Sequence, residues 1–102
     1  MSFNRFGYQF DGIFYDPSRL QPFPGVYIVW CITGNDWQAL DVGEAEDVRE
    51  RLLNHDRKEC WTSNCRGTIF FSAIYTRGMH QQRRMDIEAN IMRQAKPVCG
   101  ER

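Results

Sequence analysis

Seven consecutive residues, Val26-Tyr27-Ile28-Val29-Trp30-Cys31-Ile32, are β-branched, aromatic or otherwise apolar. Such a run has no polar side to turn to water, so it reads as a strand buried on both faces. Thr33-Gly34-Asn35-Asp36 is a turn signal. Trp37 to Val42 reads as the returning strand, ended by Gly43. A β-hairpin over residues 26–42 is therefore the first element expected.

Glu44-Ala45-Glu46-Asp47 places acids where a helix would begin, opposite the positive end of its dipole. Val48, Leu52 and His55 then recur at helical spacing, which predicts a helix from about Ala45 to Asp56. Arg57 to Arg66 reads as a polar connection and Thr68–Tyr75 as a third strand, broken by Gly78. Met79 to Ala95 reads as a second helix with Met85, Met92 and Ala95 as its buried stripe, stopped by Pro97. The order β-β-α-β-α implies an α+β fold with a small, three-stranded, mainly antiparallel sheet and flanking helices. Residues 1–24 are aromatic but interrupted by Pro17, Pro22 and Pro24. They read as an arm wrapped on the body, with at most a short edge strand over Tyr8 to Phe14.

The 102 residues suit one domain, and no apolar run approaches the length of a membrane-spanning helix. No signal-peptide pattern opens the chain, so the expected address is the cytoplasm. Thirteen basic residues balance thirteen acidic ones, which excludes polybasic or acidic tails. The balance is uneven along the chain. Residues 1–47 hold two arginines against seven acids, and the remainder holds eleven bases against six acids. Eleven of the thirteen bases are arginine, the side chain that forks onto phosphate, so the second half offers a phosphate-facing surface; the plain alternative is solvated helix faces. Cys31, Cys60, Cys65 and Cys99 are expected to be buried free thiols in a reducing compartment. Cys60 and Cys65 with His55 make half a zinc site at best.

Arg51 and His55 are four residues apart, one above the other on the first predicted helix and beside its apolar stripe. By itself this reads first as an arginine stem covering the core beside a partly buried histidine. Glu88 on the second helix lies beside Ile91 and Met92, with Arg84 one turn earlier. A carboxylate so placed needs a cation or a metal.

Gly25-Val26-Tyr27, Asp41-Val42-Gly43, Arg51, His55 and Glu88 together resemble the GIY-YIG nuclease superfamily, which includes phage homing endonucleases, some restriction enzymes and the incision module of bacterial nucleotide excision repair. The first triplet is matched by Gly25-Val26-Tyr27, and Asp41-Val42-Gly43 stands at the second with the usual spacing. Arg51 and His55 fall where the family has its helix arginine and a histidine or tyrosine. Glu88 falls where the family has its metal-binding glutamate, and Lys96-Pro97 follows it. The resemblance spans residues 24–98. It departs from the family where Asp41 replaces a tyrosine, where Glu44 stands for a lysine, and where no asparagine follows Pro97.

The resemblance implies a DNA endonuclease or nicking domain with one divalent ion, Mg²⁺ or Mn²⁺, held by Glu88. In that reading Arg51 faces the non-bridging oxygens, Tyr27 positions or deprotonates the water, and His55 relays the proton. Asp41 serves as a carboxylate base or recruits a second metal. Arg57, Lys58 and Arg84 contact the nucleic acid. Specificity would come from a homodimer or a partner protein. The alternative is a catalytically impaired module on the same fold that binds nucleic acid or protein; a zinc-stabilised interaction domain is a third class. One geometric demand follows. A two-residue turn at Gly34-Asn35 would set Ile28 opposite Asp41 and put Tyr27 and Asp41 on opposite faces. The family arrangement puts both on one face, which calls for a bulge near Gly34 or Asn35.

Overall fold

In the computed structural model, residues 2–100 are described. Five strands form one antiparallel sheet: β1 (Ser2–Arg5), β2 (Tyr8–Phe14), β3 (Gly25–Thr33), β4 (Asp36–Ala45) and β5 (Thr68–Tyr75), in the order β1-β2-β5-β3-β4. Helices α1 (Val48–Leu53) and α2 (Lys58–Ser63) follow β4, and α3 (Gln81–Ala95) follows β5. The class is α+β as expected, but the sheet has five strands rather than three. Among the described residues no helix is long and apolar enough to cross a membrane.

The two additional strands come from the segment read as a wrapping arm. Phe6 and Gly7 both take positive φ, 58° and 87°, which is what a two-residue turn between right-twisted strands requires. β1 is the outer strand, and β2 pairs with β5. The arm's aromatics become one side of the core: Phe3 stacks on Phe10 and Phe6 stacks on Trp30.

Alternation along β3 divides that core in two. Tyr27, Val29 and Cys31 face α1 and α2 and pack with Leu40, Val48, Leu52, Trp61 and Phe71. Val26, Ile28 and Trp30 face the other way and pack with Phe10, Val42, Ile87 and Ile91. α1 and α3 therefore cover opposite faces of the sheet. The buried face of α3 is Arg84, Ile87 and Ile91; Met85, expected inside, is 42% exposed.

β3 and β4 turn on Gly34 and Asn35, with Thr33 opposite Asp36. The extra residue sits further along β4: Val29 faces Asp41, whereas Trp30 faces Ala39, so Leu40 is the bulge. The bulged Leu40 packs its side chain in the core, and the bulge brings Asp41 onto the Tyr27 face. Backbone N–H groups of Val98 and Cys99 bond to the carbonyls of Ala39 and Leu40, covering this stretch of the edge strand.

α1 is shorter than the periodicity suggested. Asp47 caps it by accepting the Glu50 N–H at 3.0 Å, and Asn54 ends it by bonding back to the Glu50 carbonyl and carboxylate. Asparagine competes with the helix for its own backbone groups, so His55 lies beyond the helix instead of stacked on Arg51. α2, read as a connection, is a separate short helix that buries Trp61. The cysteines are paired, not free: Cys31 with Cys65 and Cys60 with Cys99. Both bridges fix α2 and its flank, one to β3 and one to the C-terminal segment.

Candidate active site

Tyr27 lies in the middle of the inner strand β3, fully buried, with its ring over Gly43 of the neighbouring edge strand. A Cβ at position 43 would come within 2.9 Å of Tyr27 Cε2 and closer still to Cζ and Oη. Gly43 thus gives the tyrosine its space. The phenol oxygen ends 2.7 Å from His55 Nε2.

His55 is held from both sides of its ring. Its Nδ1 accepts the backbone N–H of Arg57 at 3.0 Å, so in the neutral ring Nε2 carries the proton. The imidazole therefore donates to Tyr27 Oη. It cannot take the tyrosine's proton, so the relay expected of His55 gives way to a donor role. Burial first, and then the Arg51 guanidinium, hold its pKa down at about 4, against the upward pull of Asp41 and Asp56. His55 is neutral at pH 7. Tyr27 is pushed up to about 12, mainly by burial and next by Asp41, while Arg51 and Arg57 oppose the rise.

Asp41 has no exposed side-chain surface. Its Oδ2 accepts from Arg57 Nε at 2.8 Å and Trp61 Nε1 at 2.9 Å, and its Oδ1 accepts from Arg57 Nη2 at 3.1 Å. A carboxylate so occupied has no lone pair to spare on Oδ2 and no path to solvent, so the expectations of a base or a second-metal ligand are not carried forward. Arg57, expected on nucleic acid, is spent on the same pair, and the bond to Asp41 raises its pKa above the usual range. Trp61 was not singled out as a site residue, yet its indole supports Asp41 and packs against His55 at 4.8 Å between ring centroids.

Arg51, on α1, reaches the Tyr27 hydroxyl region and forms a 3.2 Å pair with Asp56. Its side chain is 39% exposed, which leaves the guanidinium open to an incoming anion. Lys58 donates to the Leu53 carbonyl and lines a cavity of about 730 Å³ with Leu52, Trp61 and Phe71.

Glu88 is half-buried on α3, in the layer across the sheet from Tyr27, Arg51 and His55. Arg84, one turn earlier, is buried and donates from Nε to Glu44 at 2.5 Å; it is not a free surface cation. The edge strand is where the layers meet. Gly43 underlies the Tyr27 hydroxyl on one face, and Glu44, the next residue, anchors α3 on the other. Tyr27, Asp41, Arg51 and His55 are thus gathered on one face of the sheet, and α3, which carries Glu88, packs on the other.

No family's sequence profile matches the chain, and no curated protein matches it either. Solved structures do. The GIY-YIG N-terminal endonuclease domain of UvrC from Thermotoga maritima, in a point-mutant form bound to its catalytic divalent cation, superposes with a TM-score of 0.60 at 21% identity, covering 85% of this chain and 92% of that one. The same domain bound to magnesium gives a TM-score of 0.57 at 20% identity, covering 81% and 89%. This chain has the GIY-YIG fold.

Proposed function

We propose that the protein hydrolyses phosphodiester bonds in DNA with the help of one divalent cation. The observation that carries this reading is the Tyr27–His55–Arg51 group on one face of the sheet of a GIY-YIG fold. The UvrC domain with that fold was solved with magnesium bound.

Glu88 is the residue that would hold the ion. A carboxylate is the hard oxygen donor that Mg²⁺ or Mn²⁺ takes, and Mg²⁺ keeps water for most of its shell. Among the described residues no three His, Cys, Asp or Glu side chains converge on one point, so the donor set fits one carboxylate plus water rather than a zinc cage. When bound, the ion supplies charge neutralisation at the departing oxygen.

The protein's own groups do the rest. Tyr27 is a phenol at neutral pH whose oxygen receives the His55 N–H, so its own O–H can orient a water for attack. His55 and Arg51 both favour the phenolate, opposing the burial that keeps the proton on. Arg51, half-exposed, can exchange Asp56 for the phosphate and meet charge building on its non-bridging oxygens. Specificity beyond this comes from a second copy or a partner protein.

The test is plasmid nicking in Mg²⁺ or Mn²⁺ by the wild type, Glu88→Gln and Arg51→Ala. Loss of one charge-stabilising group should lower the rate by about 10²-fold or more with secondary structure intact by circular dichroism. Equal nicking by Glu88→Gln would refute the assignment of the ion. Salt-sensitive retardation of DNA with no nicking by the wild type would mark a binding module on the same fold.

A further inference from the structure

We infer that Arg57 and Asp41 form a positioning clamp, which keeps the Asp41 carboxylate off His55 and leaves Tyr27 Oη as the only acceptor for the His55 Nε2–H. The inference rests on the function proposed above only for what Tyr27 then does with the donated hydrogen bond.

Among the described residues, one acceptor bonds that N–H and a second stands just beyond bonding distance. Tyr27 Oη is 2.7 Å away, and Asp41 Oδ2 is 3.9 Å away. A carboxylate is the stronger acceptor, and here it is wholly buried. Left alone it would draw the imidazole over and favour its uptake of a proton from solvent, since an unpaired buried charge is costly. The arrangement prevents this by filling Oδ2 twice, from Arg57 Nε and Trp61 Nε1, and Oδ1 once, from Arg57 Nη2. Arg57 acts at both ends. Its guanidinium neutralises the competing acceptor, and its backbone N–H occupies His55 Nδ1 and fixes which nitrogen carries the proton. Every charged or titratable group facing the imidazole fits the scheme: Asp41 from β4, Tyr27 from β3, Arg51 from α1, and Asp56 and Arg57 from the connection to α2. Trp61 packs on the ring from α2 itself.

The experiment is NMR titration of the His55 ring nitrogens in the full chain. In the wild type His55 should stay neutral to about pH 4 with the proton on Nε2. Arg57→Ala keeps the backbone N–H but releases Asp41, and His55 should become imidazolium with a midpoint above 6.5, its ordinary value. Adding Asp41→Asn to Arg57→Ala removes the competitor and should return His55 to the neutral form. Trp61→Phe, a milder change that retains the arginine, frees one position on Oδ2 and should move the midpoint upward by a smaller amount. If His55 titrates alike in the wild type, Arg57→Ala and Trp61→Phe, the clamp is refuted. The nicking rate of Arg57→Ala should fall on the order of 10²-fold, as for a misaligned group. A nicking wild type with an unmoved His55 sinks the clamp and spares the hydrolase. A silent wild type with a moved His55 does the reverse.

Discussion

Gly43 is a glycine for the sake of Tyr27, and a double-mutant cycle can measure this. The residue needs no left-handed backbone; it sits within a paired strand opposite Tyr27. An alanine there would place its Cβ against Cε2, Cζ and Oη of a ring with nowhere to go, since Tyr27 is 1% exposed. Overpacking of this kind costs about 1–3 kcal/mol. Loss of the Tyr27–His55 bond adds roughly 1 kcal/mol. The stiffer unfolded chain returns about 0.4–1 kcal/mol. Gly43→Ala should therefore destabilise by about 2–3 kcal/mol, a fall in Tm of roughly 10–20 °C for a domain of this size.

Tyr27→Leu removes the three clashing atoms and keeps most of the core filled. In that background Gly43→Ala should be neutral or stabilising by up to about 1 kcal/mol, so the coupling energy should reach about 2–4 kcal/mol. Urea denaturation of the four proteins gives the number. An identical loss in both backgrounds, within about 0.5 kcal/mol, would show that glycine is required by the backbone and refute the reasoning.

Four other outcomes are expected. Stability should fall as pH drops from 6.5 toward 4, because the unfolded chain protonates His55 while the folded one resists; the loss reaches about 3 kcal/mol, and urea midpoints should show it flattened in His55→Gln. Above pH 10 the sign reverses: the folded chain holds protons on Tyr27 and Tyr75 up to about 12, so stability declines with rising pH and Tyr27→Phe removes only part of the decline. The two disulfides close spans of 34 and 39 residues, each worth about 4 kcal/mol in the chain-entropy account, so reduction should lower Tm markedly in calorimetry; an unchanged Tm would speak against the pairing. Arg84→Ala should cost about 2 kcal/mol by stranding Glu44, and the double variant with Glu44→Ala should cost less, as read by denaturant midpoints.

What could be read from the chain follows the strength of local signals. β3 carries an unbroken apolar run and β5 one interrupted by Ser72, and β5 falls on Thr68–Tyr75 as read. β1 and β2 mix polar and aromatic residues, and their turn puts Phe6 at positive φ, which no propensity for phenylalanine announces. The end of α1 turned on one competing asparagine inside a pattern that otherwise continued. Tyr27, Arg51 and His55 are picked out together through the family resemblance; the helical spacing alone pairs Arg51 with His55 on one helix, whereas α1 ends at Leu53 and His55 lies beyond it. The partners of Asp41 were not legible: Arg57 is 16 residues away and Trp61 is 20, on a helix too short to show a period. Cysteine pairing was equally hidden, since four cysteines allow three pairings and the choice lies in tertiary distance.

The two departures that most trouble the proposed phosphate-cutting site have the same structural answer. Asp41 and Glu44 each put a carboxylate near the place where the proposed anionic substrate would approach. Each is met by an arginine from the basic half of the chain, Asp41 by Arg57 and Glu44 by Arg84. The charge asymmetry along the sequence is thus partly spent inside the fold. This narrows the account of substrate contact. Two of the cations expected on nucleic acid are committed, and Lys58 is turned toward a helix end. Arg51 differs: its partner Asp56 is 75% exposed, and a solvent-facing ion pair is worth at most about 1 kcal/mol. A phosphate can displace that partner cheaply, whereas displacing Asp41 from Arg57 would leave a buried charge alone. The two carboxylates therefore fix the walls of the site, and in the proposed reaction recognition of the phosphate on the Tyr27 side would fall to Arg51.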